Sequence, residues 1–184
     1  MSTVVAAPTP ILEEEPSVVA DLLPREGVLA SGELQRLAAT IAEQPERWSQ
    51  LVQHDPARRH YELLHEDEHV TVWLICWSPG HDTGFHDHDT SSAGVAVAEG
   101  GIVDERLTAH GDPITTLLEP GRGTTIEPTE IHRVHHPGGE PTVSVHAYSP
   151  PLRRMGAYEV APDGRLLRHA QPGEDGLEPV RSSH

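Results

Sequence analysis

Cysteine and basic residues are scarce in this sequence, and long hydrophobic runs are missing. The single cysteine, Cys76, cannot form a disulfide within the chain. Thirteen Lys and Arg against 29 Asp and Glu give a formal net charge of −16 at pH 7, so phosphate backbones and anionic membrane surfaces repel the chain. We therefore expect neither nucleic acid nor a membrane as a partner.

The hydrophobic runs are also too short for a membrane span, which needs roughly 20 apolar residues. The longest run, at 70–77, has the length of a strand. The first ten residues lack the basic and continuously apolar regions of a secretory signal peptide. We expect a cytoplasmic monomer whose partner is a small molecule.

Histidine, glycine and proline are abundant instead. The chain has 16 Gly and 17 Pro, and 36% of its residues are hydrophobic, which is typical of short strands joined by many turns. Fourteen histidines beside one cysteine indicate that a metal site in this chain is built from nitrogen ligands. The length of 184 residues suits one domain.

The chain is expected to consist of two tails around that domain. Residues 1–30 contain several prolines and an acidic run, so we expect an irregular N-terminal tail. Residues 31–168 are the predicted domain, with helices at 31–54, a barrel at about 69–150 and a small hairpin around Asp163-Gly164. Residues 169–184 are predicted to be a C-terminal tail.

Apolar residues at helical spacing follow Ser31, which is a suitable N-cap residue. They predict one helix with a single apolar face and a second short helix after Pro45. We expect these helices to cover a sheet edge or one end of a barrel. The predicted apolar face consists of Leu34, Leu37, Ala38 and Ile41.

From about residue 69, short β-branched and apolar runs alternate with Gly and Pro turns, which predicts strands. No long helical segment separates them, so the fold class is mostly all-β, an antiparallel barrel or jelly roll with short N-terminal helices. The predicted strands are Val70–Trp77, Gly84–His88, Ala93–Val97, Gly101–Leu107, Ile114–Leu118, Thr124–Glu127, Arg133–His135 and Thr142–Tyr148.

Three histidines have the spacing of metal ligands. Alternation along a strand puts His86 and His88 on one face and turns Asp87 outward, where we expect it to be solvated or to bond a neighbouring loop. His132 follows a Pro-bounded turn, and a barrel can bring it opposite that pair. Three neutral imidazoles would leave a divalent ion with open positions facing the lumen.

A polar stripe occupies one face of the last predicted barrel strand. Ser144, His146 and Tyr148 lie at i, i+2 and i+4, and apolar residues take the other face. The stripe either faces solvent or lines the lumen, and a barrel that holds a metal favours the lumen. Hydrogen bonds along it could fix the tautomer of His146 and orient the Tyr148 hydroxyl.

Two motifs resemble those of the cupin superfamily of small β-barrels: Gly80 followed by His86-x-His88, and His132 four residues after Pro128. The Glu that cupins often add after the second His is replaced by Ser92 and Ala93. The blocks at 75–81, 86–88, 131–134 and 144–151 together resemble the cysteine dioxygenase family of thiol dioxygenases. The resemblance covers most of the predicted barrel.

This resemblance implies a cupin-type barrel that holds Fe(2+) by His86, His88 and His132 and uses Ser144, His146 and Tyr148 in catalysis. It implies L-cysteine and O2 as substrates and cysteine sulfinate as product. The family also holds the substrate carboxylate with an Arg upstream of the Cys-Trp strand. We assign this role to Arg59, with Arg58 as the alternative and Tyr61 nearby.

The sequence departs from the animal members of that family at one position. Those members carry a cysteine shortly after the His pair, cross-linked to the active-site tyrosine, whereas this chain has Ala93 or Gly94 there. We therefore expect Tyr148 to be an unmodified phenol in an enzyme of bacterial type. Cys76 is expected to be an ordinary buried thiol.

Three alternatives stay open. A 3-mercaptopropionate dioxygenase would need its carboxylate held elsewhere, which Arg153 or Arg154 could do. A non-catalytic cupin that binds a metal or ligand would not need the polar stripe, and a zinc or manganese isomerase or epimerase usually keeps the missing carboxylate ligand. Of the other histidines, His81 is expected to structure a turn or support the site, and His135 and His136 are expected at the surface.

Overall fold

Two antiparallel sheets dominate the computed structural model, which describes residues 17–24, 27–109, 112–163 and 165–172. The strands in these residues are β1 (His60–Glu66), β2 (Thr71–Trp77), β3 (His86–Asp87), β4 (Ser92–Glu99), β5 (Ile102–Arg106), β6 (Ile114–Leu118), β7 (Gly123–Ile126), β8 (His132–His135), β9 (Thr142–Ser149), β10 (Arg154–Val160) and β11 (Leu166–Pro172). One sheet has the order β1-β2-β9-β4-β7, and the other has the order β11-β10-β3-β8-β5-β6. The mostly all-β antiparallel prediction is confirmed.

The strand predictions differ from the structure at three places. Strand β1 was not predicted, because its sequence places charged residues between its apolar ones and only Leu64 is fully buried. Strand β3 is shortened to His86–Asp87. The C-terminal hairpin is longer than predicted, with seven paired positions between β10 and β11.

Most of the two predicted tails lies outside the described residues, namely 1–16 at the N-terminal side and 173–184 at the C-terminal side. Gly164, in the predicted hairpin turn, also lies outside them. The C-terminal tail was predicted to begin at residue 169, whereas strand β11 continues to Pro172.

The N-terminal helix α1 (Ser31–Ala42) lies against one face of the five-stranded sheet near its β7 edge, where it covers β4, β9 and β7. Its apolar side chains belong to the same buried cluster as Ala96 on β4 and Val145 on β9. Strand alternation then turns the other face of β9 toward the lumen. No helix in the described residues is long and apolar enough to cross a membrane.

The ends of the helical region also differ in detail from the prediction. The N-cap is Ala30, one residue before Ser31, and its N–H donates to the Glu33 carboxylate at 2.9 Å. The Ser31 hydroxyl instead donates to Glu127 at 2.5 Å. The second predicted helix is a pair of 3-10 turns, Pro45–Arg47 and Ser49–Leu51, and a third 3-10 turn covers Ala20–Leu22.

A glycine permits the close contact between α1 and the sheet. A Cβ added at Gly94 on β4 would lie 2.1 Å from the Gln35 backbone nitrogen and 2.2 Å from the Leu34 carbonyl carbon. Both neighbours are helix backbone, so they cannot rotate away as a side chain could. Only glycine lets the helix approach the strand this closely.

We expect Gly94→Ala to destabilise the fold by about 3 kcal/mol, because the added methyl group must push α1 off the sheet. Gly32→Ala in the same helix is the control, since its nearest non-neighbouring atom is 3.8 Å away. It should be neutral or stabilising by about 0.5 kcal/mol. Denaturant unfolding measures both variants, and equal stability of the two would contradict the close helix–strand contact.

Candidate metal centre

The structure brings the three predicted histidines together inside the barrel. His86 and His132 are paired across β3 and β8, and His88 follows directly after β3. One ring nitrogen from each lies within 4.8 Å of those of the other two, and all three side chains are buried. The Nε2 atoms of His88 and His132 are 3.3 Å apart. This cluster could hold a metal ion.

Outer contacts orient two of the rings. Nδ1 of His86 lies 3.0 Å from the Gly84 carbonyl oxygen, and Nδ1 of His132 lies 2.9 Å from Asp104 Oδ1. Because both partners are acceptors, each Nδ1 carries the proton and donates it. The Nε2 lone pairs of these two rings are then available to the centre of the cluster.

The electrostatic environment keeps these imidazoles neutral. Burial lowers the pKa of His86 to about 4, even though the bond to the Gly84 carbonyl opposes this. The pKa values of His88 and His132 lie well below the ordinary value, first because of burial and then because of the neighbouring imidazoles. Neutral imidazole is the form that binds a divalent metal, so the cluster is ready to bind one near pH 7.

Asp87 lies between His86 and His88. Of its two predicted roles, exposure to solvent is wrong. It is buried and accepts hydrogen bonds from the Tyr158 hydroxyl at 2.6 Å and from Arg168 Nε at 2.7 Å. Burial alone would raise the pKa of Asp87, but these bonds hold it well below its usual value. The carboxylate therefore ties the ligand strand β3 to the C-terminal hairpin.

The polar stripe of β9 lies on the lumen side and is buried throughout. The Ser144 hydroxyl contacts His146 Nε2 at 2.8 Å, and Trp77 Nε1 donates to Ser144 Oγ at 2.8 Å. Since the indole can only donate, Ser144 Oγ accepts from Trp77, and the hydroxyl's own proton remains available for a bond to His146. Trp77 belongs to this network, although its role was not predicted from the sequence.

Tyr148 connects the stripe to the histidine cluster. Its ring stacks on His146 with centroids 6.4 Å apart and stands edge-on to His88 at 5.1 Å. Hydrogen bonds were predicted along the whole polar stripe. The structure has a hydrogen bond between Ser144 and His146, and a ring contact between His146 and Tyr148. Burial raises the pKa of Tyr148 above the ordinary value and lowers that of His146 to about 3. The phenol stays protonated and able to donate.

The two candidate arginines have different environments. Arg59 is buried, and its guanidinium carbon lies 5.2 Å from the Trp77 ring centroid. Burial is the main cause of the lowered pKa of His146 and of His86, and the positive charge of Arg59 lowers both further. Arg58 has a side chain 75% exposed and pairs with Asp55 at 3.5 Å. The structure therefore favours Arg59 as the residue that faces the site.

Tyr61 and the two candidate arginines line one cavity. Tyr61 is half-buried and stands edge-on to Trp73 at 5.7 Å. A cavity of about 250 Å³ is lined by residues 53–55 and 58–61, including Arg59. Arg153 and Arg154 do not reach this region, since both are at the surface and pair with Glu66 and Asp89. Neither of them lines the cavity beside Arg59, so the geometry does not favour either as the residue that holds a carboxylate there.

Strand register decides which residue stands beside the tyrosine. Ala93 on β4 is directly opposite Tyr148 on β9 and belongs to the same buried cluster. Gly94 turns the other way, toward α1. Of the two positions that the sequence left open, Ala93 is the one next to the phenol, and a methyl group stands there.

Other residues of interest lie away from the cluster. Cys76 packs among the apolar residues under α1, and burial raises the pKa of its thiol, as expected of an ordinary buried cysteine. His81 Nδ1 accepts from the Ser78 N–H at 2.9 Å and so structures the turn. The surface prediction for His136 is wrong, because it is buried and bonded to the Gly138 N–H and the Glu140 carbonyl. His135 is half-buried.

Asp104 is a second residue of the site, after Trp77, whose role was not predicted from the sequence. Asp104 on β5 is 2% exposed and lies against His132 Nδ1. The sequence contained a signal for this, because Asp104 lies two residues after Ile102 on the same strand. Strand alternation therefore places both on the buried face.

Comparison with known proteins shows one family and one fold. The family model for cysteine dioxygenase type I matches residues 1–161. Cysteine dioxygenase type 1 of Danio rerio is 22% identical over 69% of this chain and 69% of its own length. That of Bos taurus is 25% identical over 79% of this chain and 80% of its own. A crystal structure of a Thermus thermophilus protein, 19% identical, superposes with a TM-score of 0.50 over 56% of this chain and 93% of that one.

Proposed function

Because this chain belongs to the cysteine dioxygenase type I family, we propose that it is an iron-dependent dioxygenase that converts L-cysteine to cysteine sulfinate. Both atoms of O2 form bonds to the thiol sulfur, and the thiol supplies all the electrons that O2 takes up. No further reductant is needed. The observation that carries the proposal is the buried cluster of three neutral imidazoles with Tyr148 and Arg59 beside it.

The donor set fits ferrous iron. His86, His88 and His132 offer three imidazole nitrogens, with no carboxylate in the cluster, and imidazole suits iron among several divalent metals. A ferrous ion held there would supply coordination positions for the thiolate and for O2, and a thiolate would bring the negative charge that three imidazoles lack.

The chain's own residues bind and orient the substrate. The Arg59 guanidinium binds the carboxylate through two parallel hydrogen bonds, and the Trp77 ring holds it in place from one side. The Tyr148 hydroxyl keeps its proton and donates a hydrogen bond toward the reacting sulfur and oxygen atoms. Trp77 and Ser144 fix the orientation of His146, on which the Tyr148 ring stacks.

Two features support this function over the alternatives. Arg153 and Arg154 were the candidates for holding the carboxylate in a 3-mercaptopropionate enzyme, and both are exposed and engaged in ion pairs. A non-catalytic cupin has no need of Ser144, His146 and Tyr148, and burying such polar side chains costs free energy.

Oxygen uptake by the ferrous-loaded protein tests the proposal, with L-cysteine, 3-mercaptopropionate and cysteamine as separate substrates. Uptake with L-cysteine and a product heavier by two oxygen atoms supports it. Preferential uptake with 3-mercaptopropionate would show that this thiol, and not L-cysteine, is the substrate of the same oxygenation reaction. Uptake with none of the three would leave a metal- or ligand-binding cupin as the function.

Arg59→Met is expected to raise KM for L-cysteine by about 10- to 100-fold, which corresponds to the loss of a charged hydrogen-bonded pair. Methionine keeps much of the packing on Trp77 and removes the charge. Arg58→Met is the matched control and should leave KM unchanged, since Arg58 is exposed. Any turnover of cysteamine, which has no carboxylate, should not respond to either variant. Equal KM values for L-cysteine in both variants would remove Arg59 from the binding site.

A further inference from the structure

Asp104 occupies the centre of a charged network behind the histidine cluster. Its side chain is 3% exposed, and its two oxygens contact different partners. Oδ1 accepts from His132 Nδ1 at 2.9 Å, and Oδ2 accepts from Arg106 Nε at 2.8 Å. The carboxylate is thus shared between a ligand imidazole and a guanidinium.

Arg106 is itself held firmly. Its Nη1 pairs with Glu130 at 3.1 Å, and its Nη2 donates to Thr124 Oγ1 at 2.5 Å and to the Thr125 carbonyl at 2.6 Å. Strand pairing adds to this, because Arg106 stands directly opposite His132 between β5 and β8. The firmly held guanidinium therefore shares the Asp104 carboxylate with the His132 ring and draws on part of its negative charge.

The three imidazoles differ in what lies behind them. Nδ1 of His86 faces a neutral carbonyl group, that of Gly84. Nδ1 of His88 is buried and has no hydrogen-bond partner within the residues that the structure describes. Among the described residues, His132 is the only one of the three whose Nδ1 contacts a carboxylate. It is therefore the only one of these rings that is hydrogen-bonded to a negatively charged group.

We propose that Asp104 is a positioning residue for the metal centre, and that Arg106 moderates its effect. By accepting the Nδ1 proton, the carboxylate fixes the tautomer of His132, aims its Nε2 into the cluster and makes that nitrogen more basic. It also supplies, one hydrogen bond away, part of the negative charge that three neutral imidazoles lack. This inference rests on the metal centre of the proposed function and assigns a residue outside the ligand set.

Two substitutions separate this role from a structural one. Asp104→Asn keeps the shape and an acceptor oxygen but removes the charge, so it should weaken metal binding while His132 stays in place. Arg106→Gln keeps the hydrogen bond between Asp104 and His132 and removes the cation that partly neutralises the carboxylate. It should leave metal binding unchanged or strengthen it. If the network only holds β5 and β8 together, both variants should weaken binding alike.

Cobalt(II) binding to the metal-free protein tests the proposal, by competition with a chelator and by the visible spectrum of the bound ion. We expect Asp104→Asn to lose about 10- to 100-fold in affinity and to shift the visible bands. Asp82→Asn is the control, because Asp82 also pairs with an arginine, Arg133, and contacts no ligand imidazole in the described residues. It should match the wild type in both measurements.

The results distinguish the inference from the function on which it rests. Wild-type affinity and spectrum in Asp104→Asn would overturn the role of Asp104, as would a loss of affinity in Arg106→Gln equal to that in Asp104→Asn. If Asp104→Asn does not fold, Arg106→Gln with retained or tighter cobalt binding supports the proposal, and weaker binding contradicts it. Failure of the wild type to bind cobalt would overturn the metal centre itself.

Discussion

His132→Ala is expected to abolish metal retention and reduce thiol-dependent oxygen uptake to background. His132 is the ligand that comes from the strand opposite the His-x-His pair, so its loss leaves two imidazoles on one side of the site. It also leaves the buried Asp104 carboxylate without its imidazole partner. Loss of an outer partner of a ligand costs about 10- to 100-fold in affinity, and loss of the ligand should cost more.

Metal content after dialysis and oxygen uptake check this expectation. His135→Ala is the matched control, because His135 lies on the same strand and alternation turns it to the other face. It should keep both metal and activity. Normal activity in a metal-free His132→Ala protein would overturn the assignment of the site.

Tyr148→Phe is expected to keep the metal and lose about 100-fold in kcat, the effect of removing one well-placed donor to a developing charge. Phenylalanine preserves the ring contacts with His88 and His146 and removes only the hydroxyl. Because burial raises the pKa of this phenol above its ordinary value, the loss should be the same across neutral and mildly alkaline pH.

Steady-state kinetics with a parallel metal assay measure this effect. Tyr158→Phe removes a hydroxyl from a tyrosine outside the barrel lumen, where it donates to Asp87. This control should retain kcat. Full turnover in metal-loaded Tyr148→Phe would show that the hydroxyl takes no part in the reaction.

Much of the fold could be predicted from the sequence because its signals are local. Strand alternation places Val145 and Ala147 under α1 and His146 and Tyr148 in the lumen, and this follows from a period of two alone. Strand β1 escaped prediction because an edge strand needs few buried side chains and its alternation is masked by charged residues. The position of α1 on a sheet face depends on Gly94, whose importance is visible only when the two backbones meet.

The residues of the candidate site likewise fall into those that the sequence predicted and those that it did not. The three clustered histidines and the polar stripe were predicted because each set has the spacing that its proposed chemistry requires. Asp104 and Trp77 were missed because their partners are distant in the chain, 28 residues away for Asp104 and 67 for Trp77. Neighbouring arginines such as Arg58 and Arg59 cannot be told apart until the fold buries one and exposes the other.

The sequence by itself determined the residue types of the candidate metal centre, the strand faces that carry them and the resemblance to thiol dioxygenases, since all three depend on local spacing. Tertiary structure alone decided which Asp stands behind which imidazole, that Ala93 and not Gly94 faces the tyrosine, and that Asp87 is tied to the C-terminal hairpin. The physical reason is register. Alternation with a period of two predicts which residues of each strand face inward. Only the hydrogen-bonded register between strands decides which of these inward residues contact each other.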